Sequence, residues 1–491
     1  MTVTSPAPDA EPEGRSGMPE VMRGFAGLVG ANVLGQVLGF MALTIAARRI
    51  GASGLGNYNF CVALASYFGL LTNAGVSYVA MREVSASRER LPSILSECLT
   101  LQGAGAAAGY VLLVVTAGWL APNSQAEGLV PIVGLTFVVS ALTLDWLLLG
   151  LGSRWPVASA RVIGQVAYAA LVPIVVTSAG DTGAFAWLNL LGLVITCVIL
   201  VAIVRRNRLL RLATPLVGAL RKRLWESSAL GYSLVMIQLY NRADVLVLGW
   251  LSTAREVGLY AVANRLPYSI VTFANVWIQA VMPHSAKTLR EDPDQFRLDL
   301  SRTLTAVSVL ALAVAVGGVI LRGQLMPALF GSDFAAAGTP FAILCVAMAF
   351  VPVEAVLSNA LIAAARDRQY AGIVTGTAVL NVTLNVLLIP SMAASGSALA
   401  TLASEVALVV ATLAAGRSLV GLPSLDLGRL ARGAIAVCAM CAIMLALKGV
   451  SIWLATSLGS GAFAALCVAL RVFDPALWRD RHGNGSDQGS G

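Results

Sequence analysis

Runs of about 20 apolar residues, each closed by glycine, proline or charge, recur along the whole chain, and that length lets a helix cross the hydrocarbon of a bilayer. The windows lie near 23–47, 57–80, 93–119, 129–152, 158–179, 184–204, 227–251, 258–283, 299–322, 338–365, 370–390, 395–416, 429–447 and 450–470. They predict an all-α polytopic membrane protein of about 14 transmembrane helices. Spans 1 to 6 (23–204) and 7 to 12 (227–416) read as two six-helix lobes, joined by a basic cytosolic linker at 205–226. Two further helices occupy 429–470, and the ends, 1–22 and 471–491, read as disordered cytosolic tails.

Composition agrees with the pattern. Of 491 residues, 57% are hydrophobic and only 12% charged, and the mean hydropathy is +0.80; soluble domains carry about 25% charged residues. The first twenty residues are acidic and Pro-rich, without a basic n-region or small-residue cleavage site, so the first span is expected to act as its own insertion signal. All seven cysteines fall in apolar spans, which excludes loop disulfides and offers no metal-type spacing.

The net charge of +8 reports topology rather than nucleic acid. Most lysines and arginines crowd alternate loops, among them Arg82, Arg88 and Arg90, the run from Arg205 to Arg223, and Arg366 and Arg368. The positive-inside rule then puts both termini in the cytosol of a multi-pass cytoplasmic membrane protein.

A shift of about 202 residues lays 54–64 on 256–266 and matches Gly56-x-Tyr58 to Gly258-x-Tyr260. The span order agrees, so the two lobes are expected to be parallel repeats about an axis along the membrane normal, with a cavity between them. Under that shift Arg242, Asp244 and Arg265 fall on Phe40, Ala42 and Ala63. The intramembrane charge of the second lobe has no copy in the first.

That charge lies in a helical hairpin, 240–267, whose turn is 252–256. Asp244 and Arg265 each lie about seven residues from the turn, or roughly 10 Å at 1.5 Å per residue. An ionisable group at a helix centre costs about 2.5 to 3.5 kcal/mol on insertion scales, so three in one hairpin must be paired or face water or substrate. Two readings stand: a structural ion pair, or a binding cavity with net positive charge. Gln238 and Arg242 share a helix face, as do Asn241 and Asp244. Arg242 and Asp244 point roughly 200° apart. Asp244 is therefore expected to meet Arg265 across the turn, leaving Arg242 for an anion such as phosphate or pyrophosphate, which suits a guanidinium fork, unless Arg242 bonds Gln238 and backbone carbonyls instead.

Asp145, Glu354 and Glu405 are further carboxylates inside spans. With Asp244 they are candidates for ion coupling, because a lone intramembrane carboxyl can load and release protons; the alternative for each is a protonated group bonded to a neighbouring helix. Arg48 and Arg49 break the positive-inside pattern at the outer end of span 1, and either line an outer rim of the cavity or snorkel to headgroups. Neither His284 nor His482 has a metal partner, and no P-loop, G-x-S-x-G or dinucleotide turn is present. The sequence thus predicts no metal, no cofactor and no catalytic centre.

Several segments together resemble the polysaccharide-biosynthesis flippases of the multidrug/oligosaccharidyl-lipid/polysaccharide superfamily: AARRIGASGLGNYNFCVAL (46–64), YVAMREVSASRER (78–90), DWLLLGLGSRWPVASARVI (145–163), NRADVLVLGWLSTAREVGLYAVANRL (241–266), LFGSDFAAAGTPFAILCV (329–346) and LNVTLNVLLIPSMAASGSALAT (380–401). The likeness covers almost the whole chain apart from the tails. It implies alternating access that moves a polyprenyl-pyrophosphate-linked oligosaccharide between leaflets, in contact with membrane lipid, for delivery to polymerase or glycosyltransferase machinery. It also implies that cavity cations hold the pyrophosphate, and the matching positions are Arg242 and Arg265. Three competing readings are a peptidoglycan-precursor flippase, a cation-coupled multidrug antiporter of the same superfamily, and a membrane glycosyltransferase. The antiporter would want a carboxylate-rich cavity and twelve spans, and the transferase a large extracytoplasmic loop.

Overall fold

A computed structural model describes residues 18–73, 75–268, 288–289, 291–420, 426–447 and 449–472, and every regular element among them is helical. The end segments 1–17 and 473–491, both histidines and the far part of the eighth expected span lie outside the described residues. In chain order the helices are α1 (Met18–Asn73), α2 (Val76–Ala86), α3 (Leu91–Leu120), α4 (Ser124–Ala141), α5 (Asp145–Gly150), α6 (Arg154–Val175), α7 (Thr182–Arg206) and α8 (Val217–Leu251). After α9, described over 254–268, come α10 (Pro293–Leu321), α11 (Leu325–Phe330), a 3₁₀ turn (Ser332–Ala337), α12 (Gly338–Ala363), α13 (Asp367–Val420), α14 (Leu427–Leu447) and α15 (Ile452–Ala469).

Ten of the described helices are long and apolar enough to cross a membrane, and α8, bent by 51° between Met236 and Asn241, makes an eleventh. Two of the ten are double. The 56 residues of α1 and 54 of α13 would each reach about 80 Å at 1.5 Å per residue, far beyond ~30 Å of hydrocarbon. Each breaks once, α1 at Gly51 (φ 70°) and α13 at Ala393 (φ 47°), three residues after Pro390, so each holds two of the expected spans.

Boundaries differ from the hydropathy windows where local chemistry intervenes. The second window ends early, because Gly75 takes a left-handed conformation (φ 83°) and α2 starts in a new direction. The fourth splits into α4 and α5. α1 starts at Met18, inside the stretch expected to be a disordered tail, and the expected linker is helical from Val217. The stretch before the tenth span folds as α11 and the 3₁₀ turn, whose Phe330 and Phe334 are fully buried.

The polarity is that of a membrane-embedded bundle. Large apolar side chains such as Trp119, Val115, Leu387 and Val468 face outward, whereas Asn57, Gln102, Asn381 and Asn385 are buried. The main core crosses the two halves of the chain, joining Leu55 and Phe60 of α1 to Leu248, Leu259 and Tyr260 of the hairpin and to Phe330 and Phe341. A second core packs α2, α3, α5 and α7, and a third joins α10 to α14 and α15.

The halves meet most closely where two matched glycines face each other. A Cβ at Gly56 would overlap the carbonyl of Ala254, and a Cβ at Gly258 would overlap the carbonyl of Ala52. Both pairs are related by the same 202-residue offset, so this contact is its own mirror in sequence. Beside it, Asp333 Oδ2 accepts the Ala52 amide N–H at 2.7 Å and Asp333 Oδ1 accepts from Arg255 at 3.1 Å. These bonds close one end of the molecule.

Candidate functional site

The hairpin of α8 and α9 forms one wall of a cavity of about 1130 Å³. From this side Asn241, Arg242, Tyr260, Asn264 and Arg265 line it. The opposite wall comes from the first half: Tyr58 and Asn59 of α1, Gln165 and Tyr168 of α6, and Phe185 and Asn189 of α7. At the end toward the Arg82–Arg90 loop the lining includes Met81, Asp145 and Arg161.

Arg242 is half-buried and Arg265 exposed, and the two guanidinium groups act on one another as like charges. The phenols of Tyr58 and Tyr168 line the same cavity as Arg242 and Arg265. A guest carrying negative charge would relieve that repulsion, which falls off with distance and is strongest where water is scarce.

Asp244 does not meet Arg265. Its carboxylate is buried and accepts from the Tyr260 hydroxyl at 2.5 Å and from the Val245 amide at 2.8 Å. The same phenol lies 3.4 Å from Thr401 Oγ1 on α13. The reason is direction: Asp244 and Arg242 lie on different faces of α8, and the face of Asp244 is turned to Tyr260, one turn and more before Arg265 on α9. Gln238 also departs from expectation. It donates to Ser66 Oγ at 2.5 Å, tying α8 to α1, and does not line the cavity, whereas Asn241 does.

Arg48 and Arg49 lie outside the cavity wall as well. Arg48 Nε donates to the carbonyl of Leu329 at 2.7 Å and its Nη2 to that of Ala328; Arg49 Nη1 donates to Pro173 and Val176 at 2.7 and 2.5 Å. Both serve carbonyls left open at the ends of α11 and α6. Their position just before the break of α1 at Gly51 is thus explained by joints between helices.

The three remaining carboxylates divide. Asp145 is not a lone carboxylate, since Arg161 Nη2 meets its Oδ2 at 2.6 Å on the cavity wall. Glu354 of α12 and Glu405 of α13 are buried away from the cavity, and both act on Tyr370 at the start of α13. Among the described residues no group of three His, Cys, Asp or Glu could hold a metal ion.

Several residues of this region were not singled out by sequence. Tyr58 and Tyr260 stand out in the sequence only as repeat matches, and Arg223 only as a topology marker. Arg223, buried in the first part of α8, meets Glu97 of α3 at 2.7 Å and Glu83 of α2 at 2.9 Å. The signal for the neutral lining, Gln165 and Asn189, was a carboxamide inside an apolar span, which is as costly to bury unpaired as it is informative.

Fold and cavity define a polytopic α-helical membrane protein whose two halves enclose a chamber with arginines on one wall. The chain belongs to a family described as polysaccharide biosynthesis proteins, whose sequence model matches residues 21–289. Two curated relatives, both from Haloferax volcanii, are a probable low-salt glycan biosynthesis flippase, Agl15, and a probable flippase, AglR. Agl15 is 26% identical over 33% of this chain and 34% of its own length, AglR 31% over 34% and 35%. The matches thus span about a third of each relative. Among solved structures, the lipid II flippase MurJ in an inward closed conformation matches with a TM-score of 0.70 at 13% identity, over 92% of this chain and 99% of that one. An inward-facing multidrug resistance MATE family transporter of the MOP superfamily gives 0.61 at 15%, over 85% and 96%. At these identities the likeness is one of fold.

Proposed function

We propose that this chain is a flippase that carries a polyprenyl-pyrophosphate-linked oligosaccharide across the cytoplasmic membrane by alternating access, with both termini in the cytosol. The observation that carries the reading is the pair Arg242 and Arg265 on the wall of a chamber large enough for a headgroup. Paired guanidinium groups bind phosphate oxygens bidentately, and a chamber wall is where a membrane protein can hold such cations. The names of the two Haloferax relatives support a flippase, and the family name supports a role in polysaccharide synthesis.

On this reading the headgroup enters from the end of the cavity lined by Met81 and Asp145, while the polyprenyl tail stays in lipid between the lobes. The Ala52–Asp333 end is shut, and transport exchanges which end is closed. The lobes, 23–204 and 227–416, are the moving bodies. Coupling to an ion falls to the buried carboxylates of the second lobe: Asp244, joined through Tyr260 to α13, and Glu354 and Glu405 around Tyr370. Delivery is to polymerase or glycosyltransferase machinery in the outer leaflet.

A peptidoglycan-precursor flippase shares the pyrophosphate chemistry and the fold of MurJ. A cation-extruding antiporter fits the chamber poorly, because its wall places two arginines where an organic cation would sit. Deleting the gene and analysing lipid-linked intermediates separates these. Accumulation of a polyprenyl-pyrophosphate oligosaccharide in the inner leaflet is expected. Accumulation of a peptidoglycan precursor would favour the second reading, and accumulation of neither would remove both.

A further inference from the structure

The two walls of the chamber differ in charge. Arginine lies on the α8 and α9 side, whereas α6 turns a stripe of Arg161, Gln165 and Tyr168 to the cavity, at i, i+4 and i+7. Arg161 is neutralised by Asp145 at 2.6 Å, so this stripe has no net charge. Beside it on the same wall, α7 presents Phe185 and Asn189. The two helices pack so closely that a Cβ at Gly164 would overlap the Gly192 carbonyl and Thr196 Oγ1. Tyr168 and Phe185 pack with their rings tilted by 49° and centroids 6.0 Å apart.

The stripe has a direction. Tyr168 lines the same cavity as Arg265, and Arg161 lies seven residues back along α6, roughly 10 Å away at 1.5 Å per residue. A guest whose anionic group rests at Arg242 and Arg265 would therefore lay its next portion past aromatic rings, then carboxamides, then an ion pair offering both acceptors and donors. Rings for apolar faces, amides for hydroxyls and no net charge describe the chemistry of neutral sugars. Gln165 spans the seam to α1, where the absence of a side chain at Gly39 leaves it room: a Cβ there would stand 2.9 Å from its Nε2.

We infer that Tyr168, Gln165, Asn189 and the Asp145–Arg161 pair form a saccharide track for the uncharged sugars next to the pyrophosphate. The inference rests on the flippase reading and assigns Asp145 to substrate recognition.

The test compares two probes on purified full-length protein in detergent: a polyprenyl pyrophosphate without sugar, and the same lipid carrying a neutral disaccharide. Wild type is expected to bind the disaccharide probe more tightly. Gln165→Leu and, at unchanged volume, Asp145→Asn are each expected to weaken that probe roughly three- to tenfold, the worth of one or two hydrogen bonds, while leaving the bare lipid unchanged. Equal weakening of both probes, no weakening of either, or no preference for the sugar in wild type would overturn the track. Arg265→Ala reads the anionic end separately. If it spares both probes, the pyrophosphate reading fails and the track is judged on Gln165 and Asp145 alone.

Discussion

The hydroxyl of Tyr260 donates to Asp244 Oδ2 at 2.5 Å, both residues being buried in the helical hairpin. This bond decides which charges of the hairpin face the chamber: it holds the carboxylate inward, so that Arg242 and Arg265 line the wall without it. Removing the phenol oxygen in Tyr260→Phe leaves a buried carboxylate short of a donor, at a cost of about 1–3 kcal/mol. Asp244→Asn keeps an acceptor for the same hydroxyl and removes the charge, so its loss is smaller. Thermal unfolding of the purified protein checks the order, and equal losses would contradict the arrangement.

The reciprocal contact of Gly56 with Ala254 and of Gly258 with Ala52 leaves no room for a methyl group on either side. Gly56→Ala and Gly258→Ala are each expected to destabilise this closed form by about 1–3 kcal/mol or more, as overpacking does. Gly218→Ala, where a Cβ would meet nothing within 4 Å, is the control and should leave unfolding unchanged. Tolerance of alanine at both interface glycines would mean that the halves do not meet as closely as described.

Arg223 is 3% exposed and its guanidinium holds Glu83 and Glu97. Arg223→Ala strands Glu97, itself only 9% exposed, and is expected to cost about 3–5 kcal/mol. The neighbouring Arg221 is exposed, and Arg221→Ala should stay within roughly 0.5 kcal/mol of wild type. Combining Arg223→Met with Glu97→Met should recover most of the loss, since replacing a whole buried pair is far milder than breaking one. Unfolding midpoints decide it.

Asp333 joins the α1 break to the start of α9, its carboxylate accepting the Ala52 N–H and the Arg255 guanidinium. Asp333→Ala removes both carboxylate bonds, leaving Arg255 only the Asp333 backbone carbonyl at 2.9 Å, and should loosen this end. Distances between spin labels placed on α1 and on the 3₁₀ turn are expected to broaden and lengthen, whereas Asp333→Asn, which keeps an acceptor for Ala52, should shift them less. Unchanged distances in Asp333→Ala would show that the Asp333 carboxylate is not what holds this end together.

Hydropathy reads how many times a chain is apolar enough to cross, and the helical fold was legible on that ground. It does not read how crossings are joined: the windows end on either side of Gly51 and of Ala393, but that one residue at each place breaks an otherwise continuous helix shows only in three dimensions. Arg242 and Arg265 were visible because arginine inside an apolar span is costly enough to demand a reason. Their placement on the chamber wall follows from helix faces, but the partner of Asp244 did not, because a phenol three and more turns away along the chain competes with a guanidinium only in three dimensions. Arg48 was misread for a related reason: a cation at a helix end looks the same in sequence whether it meets a headgroup or the open carbonyls of Leu329 and Ala328.

The most direct test is translocation in proteoliposomes of a labelled polyprenyl-pyrophosphate disaccharide, with wild type compared with the single variants Arg242→Ala and Arg265→Ala and the double variant. Wild type should move the lipid, each single variant should slow it at least tenfold, and the double variant should match protein-free vesicles, with all four chains inserted and equally stable. Wild-type rates in the double variant would contradict the account.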